Sequence, residues 1–241
     1  MAELLVTQGL TKRFGGLCAV DGVDLVLRAG EILGLIGPNG AGKTSLFSLL
    51  SGSLRATSGE IVLDGRDVTR LAAHRRVRAG IVRTHQIVRP FGNLTVAENV
   101  LVAAIHARHA TPARARVDEL LALVGLSERA AEPPAALTLA GRKRLELARA
   151  LATAPRVVLL DEVVAGVNPA EAMAFAALIR RVRDERGVAV IMTEHVMPAV
   201  MSLSDRVVVL DAGRMIAEGA PAEVARDPRV IAAYLGTGAA A

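Results

Sequence analysis

The 241-residue sequence predicts an α/β fold: a mixed sheet flanked by helices, with an N-terminal antiparallel β element and a helical insertion subdomain. Two observations predict the sheet. Strand-length apolar runs lie between turn signals, and several are apolar throughout, as in a sheet covered on both faces. A third observation predicts the insertion, because a long stretch of helical pattern separates two groups of strand-like runs.

The first group of elements begins with the N-terminal β element. Leu4–Val6 and Val23–Leu27 alternate or run apolar between turn signals, and therefore predict short strands. Glu31–Ile36 is a compact apolar run that predicts a core strand, and a glycine-rich turn joins it to Thr44–Leu50, which has helical spacing. Glu60–Leu63 leads into an Asp-Gly turn and predicts one more strand.

The second group follows a helical stretch from Leu94 to about Leu151, in which Ala, Leu, Arg and Glu dominate and prolines interrupt the pattern. The same periods predict strands at Arg156–Leu160 and Val188–Met192, helices at Pro169–Asp184 and Met197–Leu203, and a hairpin-like pair at Val207–Leu210 and Met215–Ala217.

Composition excludes several classes of protein. Hydrophobic residues make up 52% and charged residues 22% of the chain, which excludes a disordered or fibrous protein. The longest unbroken apolar run, Ala172–Ile179, has eight residues, whereas a membrane-spanning helix needs about 20. A single cysteine, Cys18, excludes an internal disulfide and is typical of a reducing cytosol. We therefore expect a soluble, intracellular chain.

The charge pattern does not favour nucleic-acid binding. The net charge is +5, and the chain has four Phe, one Tyr and no Trp, so side chains that could stack on bases are scarce. His74–Arg83 is the densest basic cluster, and we expect it to form a solvated helix face beside an acidic partner surface.

Residues Gly37-Pro38-Asn39-Gly40-Ala41-Gly42-Lys43-Thr44 match the phosphate-loop pattern G-x-x-x-x-G-K-[ST]. Glycines let the backbone amides converge on phosphate oxygens, and the positive end of the following helix points to the same place. We expect Lys43 to reach the β- and γ-phosphates, Thr44 to bind Mg²⁺, and Ser45 to complete the binding segment. The motif predicts a P-loop NTPase core that binds a nucleoside triphosphate.

Two carboxylates follow the apolar run Val157–Leu160, at the strand end where α/β sheets place ligands. Asp161 can hold Mg²⁺ directly or through water. Glu162, one residue later, points elsewhere and can polarise the attacking water. These residues predict a site for hydrolysis beside the phosphate loop.

Together these motifs resemble the nucleotide-binding subunit of an ABC transporter over almost the whole chain. The resemblance implies that Phe14 stacks on adenine, that Gln86 contacts Mg²⁺ or water at the hinge to the helical insertion, and that His195 contacts the γ-phosphate. It implies one domain over residues 1–241: an ATP-binding core at 1–86 and 152–217, a helical subdomain at 87–151 and a C-terminal tail at 218–241.

The signature segment departs from the family pattern. Leu137-Thr138-Leu139-Ala140-Gly141 stands where the family has Leu-Ser-Gly-Gly-Gln. Thr138 keeps a hydroxyl for nucleotide binding, but two side chains replace glycines that let the backbone approach a γ-phosphate. In this family two subunits enclose two ATP molecules, each between one phosphate loop and the other subunit's signature. We therefore expect a heterodimer with a second ABC ATPase subunit.

A finer resemblance is to the branched-chain amino acid uptake group, in Phe14–Leu17, Gly80–Thr84 and the tail Glu218–Gly236. It implies an ATPase that powers import through two membrane permease subunits, with a periplasmic or extracellular solute-binding protein upstream, and a peripheral position on the cytoplasmic face of the inner membrane. Uptake of urea or short amides, and a low-turnover regulatory subunit, are the alternatives.

Overall fold

The computed structural model describes residues 2–84, 90–105, 113–194 and 197–235. Its strands are β1 (Glu3–Phe14), β2 (Leu17–Arg28), β3 (Ile32–Ile36), β4 (Ser58–Leu63), β5 (Arg66–Asp67), β6 (Ile81–Arg83), β7 (Val157–Asp161), β8 (Ala189–Thr193), β9 (Arg206–Asp211) and β10 (Arg214–Gly219). Its helices are α1 (Lys43–Ser51), α2 (Ala73–Ala79), α3 (Val96–Ile105), α4 (Ala113–Val124), α5 (Leu139–Ala152), α6 (Pro169–Arg186), α7 (Met197–Leu203), α8 (Pro221–Val224) and α9 (Pro228–Leu235).

The N-terminal strands form an antiparallel sheet in the order β2-β1-β4-β5, which confirms the predicted β element. Strands β1 and β2 run for 12 residues each, well beyond the short apolar runs that predicted them. The strands continue through polar residues whose side chains find hydrogen-bond partners in the sheet, and the buried Thr7 is one of them. Its hydroxyl donates to the Val23 carbonyl at 2.8 Å and accepts from the Leu25 amide at 2.9 Å.

The core sheet has the order β10-β9-β3-β8-β7-β6. The strands from β9 to β6 pair in parallel and β10 is antiparallel, so the sheet is mixed, as predicted. Every residue of β3, β7 and β8 is buried, since helices cover both faces. The carboxyl ends of these three strands lie at one edge of the sheet, where they place Gly37, Asp161 and Thr193.

Helices α3, α4 and α5 form the helical region predicted between the two halves of the core. Their apolar faces meet in one buried cluster that includes Val100, Leu120 and Leu145. Pro134 opens a short 3₁₀ turn before α5, and Thr138 caps that helix by accepting from the Gly141 amide at 3.1 Å. The limits 87–151 of this region as a subdomain stay a prediction.

The basic cluster His74–Arg83 is only in part a solvated helix face: His74, Arg75 and Arg78 of α2 are exposed, but the prediction was wrong for Arg76. Arg76 is 1% exposed and donates to the carbonyls of Leu49, Leu50 and Thr69 at 2.5 to 2.7 Å. The last carbonyls of α1 lack partners within the helix, so a guanidinium is a suitable donor for them. Burial lowers the pKa of Arg76 to about 10, which leaves it charged at neutral pH.

In the part of the chain that the structure describes, every helix is too short or too polar to cross a bilayer.

Candidate functional site

The phosphate loop leaves β3 at Gly37 and enters α1 at Lys43, as the sequence predicts. Gly40 and Gly42 adopt φ angles of 82° and 101°, which favour glycine. A side chain at Gly42 would also meet the Ala19 carbonyl oxygen at 2.3 Å. The loop therefore needs glycine at this position for its backbone angle and for its close approach to β2.

Lys43 lies over its own loop. Its Nζ donates to the carbonyls of Gly37 at 2.6 Å and Pro38 at 2.9 Å. Burial lowers the pKa of Lys43, while the negative charge of Glu162 raises it in part. A partly buried ammonium beside the amides of a helix start makes this loop suited to an anion.

A cleft of about 560 Å³ opens beside the loop and brings most of the predicted residues together. Its lining includes a ring, a hydroxyl and a carboxylate from three separate segments: Phe14, Thr44 and Glu162. The Phe14 side chain is 48% exposed, and the Lys12 Nζ lies 4.9 Å from the centre of its ring. The remaining lining residues are Leu17, Cys18, Ala19, Asn39, Gly40, Ala41, Gly42, Lys43, Ser45 and Ala212.

Asp161 ends β7 with its carboxylate held by two side chains. Arg83 Nη2 donates to one oxygen at 2.5 Å, and the Thr193 hydroxyl donates to the other at 2.9 Å. A carboxylate, the Thr44 hydroxyl and water are the hard oxygen ligands that Mg²⁺ prefers, so this donor set fits the ion. Each Asp161 oxygen accepts one hydrogen bond and keeps a further lone pair, which a metal ion or its water can use.

Glu162 has a left-handed backbone, with φ at 50°. Its amide donates to the Thr193 carbonyl at 3.0 Å, and its carbonyl accepts from Lys143 Nζ at 3.1 Å. These contacts hold an unfavourable backbone conformation. Glu162 lines the cleft, whereas Asp161 is not among its lining residues. The two adjacent carboxylates can therefore act on different groups.

Six predicted residues are not among the described residues that line this cleft: Gly37, Pro38, Gln86, Thr138, Asp161 and His195. Gln86 and His195 lie outside the described residues. Thr138 starts α5 and does not line the cleft, and Leu139 beside it is 44% exposed. A Cβ added at Gly166 would lie 3.3 Å from the Leu139 Cδ2 atom. Leu139 of the signature segment therefore packs close to Gly166 in the loop after β7.

Sequence reasoning missed Arg83. Besides its contact with Asp161, its Nη1 donates to the Ser48 hydroxyl of α1 at 2.9 Å. Arg83 therefore connects the helix of the phosphate loop to the strand that carries the acidic pair. A basic residue that ends a short apolar strand was the available signal, but its partner lies 78 positions away in the chain.

Comparisons with known proteins agree with this geometry. The sequence model of the ABC transporter family matches residues 20–165, and that of the branched-chain amino acid ATP-binding cassette transporter matches residues 214–240. The chain is 42% identical to the high-affinity branched-chain amino acid transport ATP-binding protein BraF of Pseudomonas aeruginosa, covering 97% of this chain and 98% of that protein. It is 41% identical, with the same coverage, to the LivG protein of Salmonella typhimurium, which has the same description.

A solved structure supports the fold. The crystal structure of an ATP-binding cassette of an ABC transporter in its ADP conformation superposes with a TM-score of 0.89 at 29% identity, covering 98% of this chain and all of that one. The matched sequence, fold and phosphate loop place the chain in one family. It belongs to the ATP-binding subunits of ABC transporters, in their branched-chain amino acid group.

Proposed function

We propose that this chain hydrolyses ATP to power the import of branched-chain amino acids. The observation that carries the proposal is the cleft, which is lined by the phosphate loop and by Glu162. Asp161, the residue before Glu162, ends β7. The choice of solute rests on the relatives, whose names specify high-affinity branched-chain amino acid transport. The same names disfavour urea or short amides, and Glu162 in the cleft disfavours a subunit with little turnover.

ATP would bind with its phosphates on the loop and its base on the aromatic ring of the cleft. The amides of residues 37–45 and the start of α1 would hold the phosphates. Lys43 would exchange its two loop carbonyls for β- and γ-phosphate oxygens, because an ammonium binds an anionic oxygen more strongly than a neutral carbonyl oxygen. The exposed ring of Phe14 would stack on the adenine.

Mg²⁺ would be held by Thr44, Gln86 and Asp161, with the Asp161 contact either direct or through water. When bound, the ion neutralises phosphate charge that builds up as the bond breaks. The Arg83 and Thr193 contacts fix the Asp161 carboxylate in one orientation before any ligand binds.

Glu162 would orient the attacking water and accept its proton, while Lys43 stabilises the transferred phosphoryl group. His195 would contact the γ-phosphate, as the family resemblance implies. The backbone contacts of Glu162 serve this role, since a general base acts only when its carboxylate is held within hydrogen-bonding reach of water.

The chain would work as part of an assembly. We propose a heterodimer with a second ABC ATPase subunit, because Leu139 is exposed at the start of α5, where a glycine would let the partner's γ-phosphate approach. The core at 1–86 and 152–217 would bind ATP, and the helical subdomain at 87–151 would meet two permease subunits at the cytoplasmic face of the membrane. Residues 218–241 would form a C-terminal tail. A solute-binding protein would act on the opposite side of the membrane from this chain.

The test replaces Glu162 by glutamine in the assembled transporter. We expect ATP turnover to fall about 100-fold or more, with ATP affinity retained, because a general base contributes about 10²–10⁴-fold. Glu185→Gln is the matched control, since Glu185 pairs with Arg181 on the exposed face of α6. Unchanged turnover in Glu162→Gln would assign hydrolysis to the partner subunit.

The solute is tested separately, by uptake of labelled leucine and labelled urea into cells with and without this chain. The proposal expects leucine uptake to depend on the chain and urea uptake to be the same in both strains. The reverse result would establish the alternative solute.

A further inference from the structure

Two buried charges of opposite sign lie close to the turn that follows β7. Lys143, in the second turn of α5, is 7% exposed, and Glu194, which directly follows β8, is 3% exposed. Charged side chains are rarely buried to this extent unless they are paired or bind other polar groups. Neither residue lines the cleft beside the phosphate loop. Direct contact with a ligand in that cleft therefore does not explain their burial.

Both charges bind the backbone of the turn. The Lys143 Nζ donates to the Glu162 carbonyl at 3.1 Å, and one carboxylate oxygen of Glu194 accepts from the Val164 amide at 2.8 Å. The two contacts come from positions 19 and 30 residues away in the chain. The turn is therefore held at two places, by the helix of the signature segment and by the end of β8.

The two charges also act on each other. Burial lowers the pKa of Lys143, whereas the negative charges of Glu194 and Glu162 raise it in part. A buried ammonium needs such compensation, because removal from water is costly for an unpaired charge. Glu194 thus supports Lys143 as well as the backbone of the turn.

Glu162 is the residue whose backbone most needs these contacts. Its φ of 50° is unfavourable for a side chain other than glycine and persists only where the surroundings hold it. The Ala165 amide also donates to the Glu162 carbonyl, at 3.3 Å, and the charged Lys143 adds a stronger bond to the same oxygen. Because the direction of a side chain follows from its backbone, loss of the Lys143 contact would let the Glu162 carboxylate move within the cleft.

We infer that Lys143 and Glu194 are positioning residues for the general base: they hold the backbone of residues 162–164 so that the Glu162 carboxylate stays in place beside the attacking water. This inference rests on the proposed function, in which Glu162 accepts the proton of that water. Lys143 and Glu194 touch no reacting atom and act through the backbone of the turn.

The test measures ATP turnover of the assembled transporter with Lys143→Met or Glu194→Gln. We expect kcat to fall about tenfold or more in Lys143→Met, because a small misplacement of a reacting group is enough for such a loss. Glu194→Gln should lower kcat less, by about threefold, since glutamine keeps an oxygen for the Val164 amide but loses the charge. The KM for ATP should stay the same in both variants, because neither residue lines the cleft.

Two further variants serve as controls. Lys143→Arg keeps the charge and a donor, and should recover most of the turnover. Arg144→Met is the matched control, since Arg144 is the next residue of α5 and donates to the Val124 carbonyl of α4 at 3.3 Å. It loses a charge and a backbone contact away from Glu162, and should keep the wild-type kcat.

A Glu162→Gln background separates positioning from a general structural effect. If Lys143 acts through Glu162, Lys143→Met should cause no further loss of kcat in a chain that already lacks the general base. The same fold loss in both backgrounds would overturn the inference, as would wild-type turnover in Lys143→Met or an equal loss in Arg144→Met. Glu194→Gln changes one charge and little volume, so the same comparison decides the question if Lys143→Met does not fold. Turnover unaffected by Glu162→Gln alone would instead refute the proposed function.

Discussion

Replacement of Gly42 by alanine tests whether the phosphate loop needs glycine for space as well as for backbone angle. Gly42 has φ at 101°, and a Cβ there would lie 2.3 Å from the Ala19 carbonyl oxygen, far inside normal contact. Gly40 has φ at 82° but no atom within 4 Å of its Cβ position. A comparison of the alanine variants at Gly40 and Gly42 therefore distinguishes the effect of backbone strain alone from that of strain with steric overlap.

The difference between the two variants has an estimated size. A left-handed conformation costs an alanine about 1–2 kcal/mol, and this is the whole penalty expected for Gly40→Ala. Overlap with a backbone oxygen forces β2 or the start of α1 to shift, which adds about 1–3 kcal/mol for Gly42→Ala. Because α1 begins at Lys43, that shift moves the ammonium away from the phosphates, and 1.4 kcal/mol is a tenfold change in affinity.

Urea unfolding and ATP titration of the two variants measure both effects. Gly42→Ala should lose more stability than Gly40→Ala, by about 1–3 kcal/mol, and bind ATP at least about tenfold more weakly than Gly40→Ala. Equal losses in the two variants would refute the claim that contact with Ala19 fixes the loop.

Two further substitutions test contacts outside the cleft. Arg76→Met should lower the free energy of unfolding by about 3 kcal/mol, because it leaves buried carbonyls without their donor. The control Arg78→Met, on the exposed face of α2, should change it little. Equal effects of the two variants in urea unfolding would contradict the capping role of Arg76. Asp64→Asn should lower Tm at pH 7, because a hydrogen bond from Arg156 lowers the pKa of Asp64 below 3.8. The stabilisation by the Asp64 carboxylate is present above pH 3.8 and is lost as pH falls through the lower pKa of the folded chain. A difference in Tm between the variant and the wild type that persists at about pH 2 would contradict this prediction.

Local patterns were enough to predict the loop and the core strands. In Gly37–Thr44, the glycines and the start of a helix are enough to predict the shape of the loop. The run Val157–Leu160 predicts a buried strand because it is apolar throughout. The full length of β1 was missed because Thr7 and Thr11 are polar residues inside a paired strand. The Thr7 hydroxyl bonds to Val23 and Leu25 of β2, and the Thr11 hydroxyl donates to the Gly9 carbonyl of β1 and accepts from the Gly22 amide of β2.

Contacts between distant segments could not be predicted in this way. Arg76 reads as one arginine in a basic cluster, and only the folded chain shows it beneath the end of α1. Arg83 likewise meets Asp161 through the arrangement of whole strands. No spacing rule links such pairs, because packing and not sequence distance brings them together.

Equilibrium binding of ATP to the full chain and to its Lys43→Met variant tests the account most directly. The wild type should bind ATP, and loss of the ammonium should weaken binding by about ten- to a hundredfold, the effect of one charge-assisted hydrogen bond. Equal affinity in the two chains would show that the nucleotide does not depend on this loop, and would contradict the account.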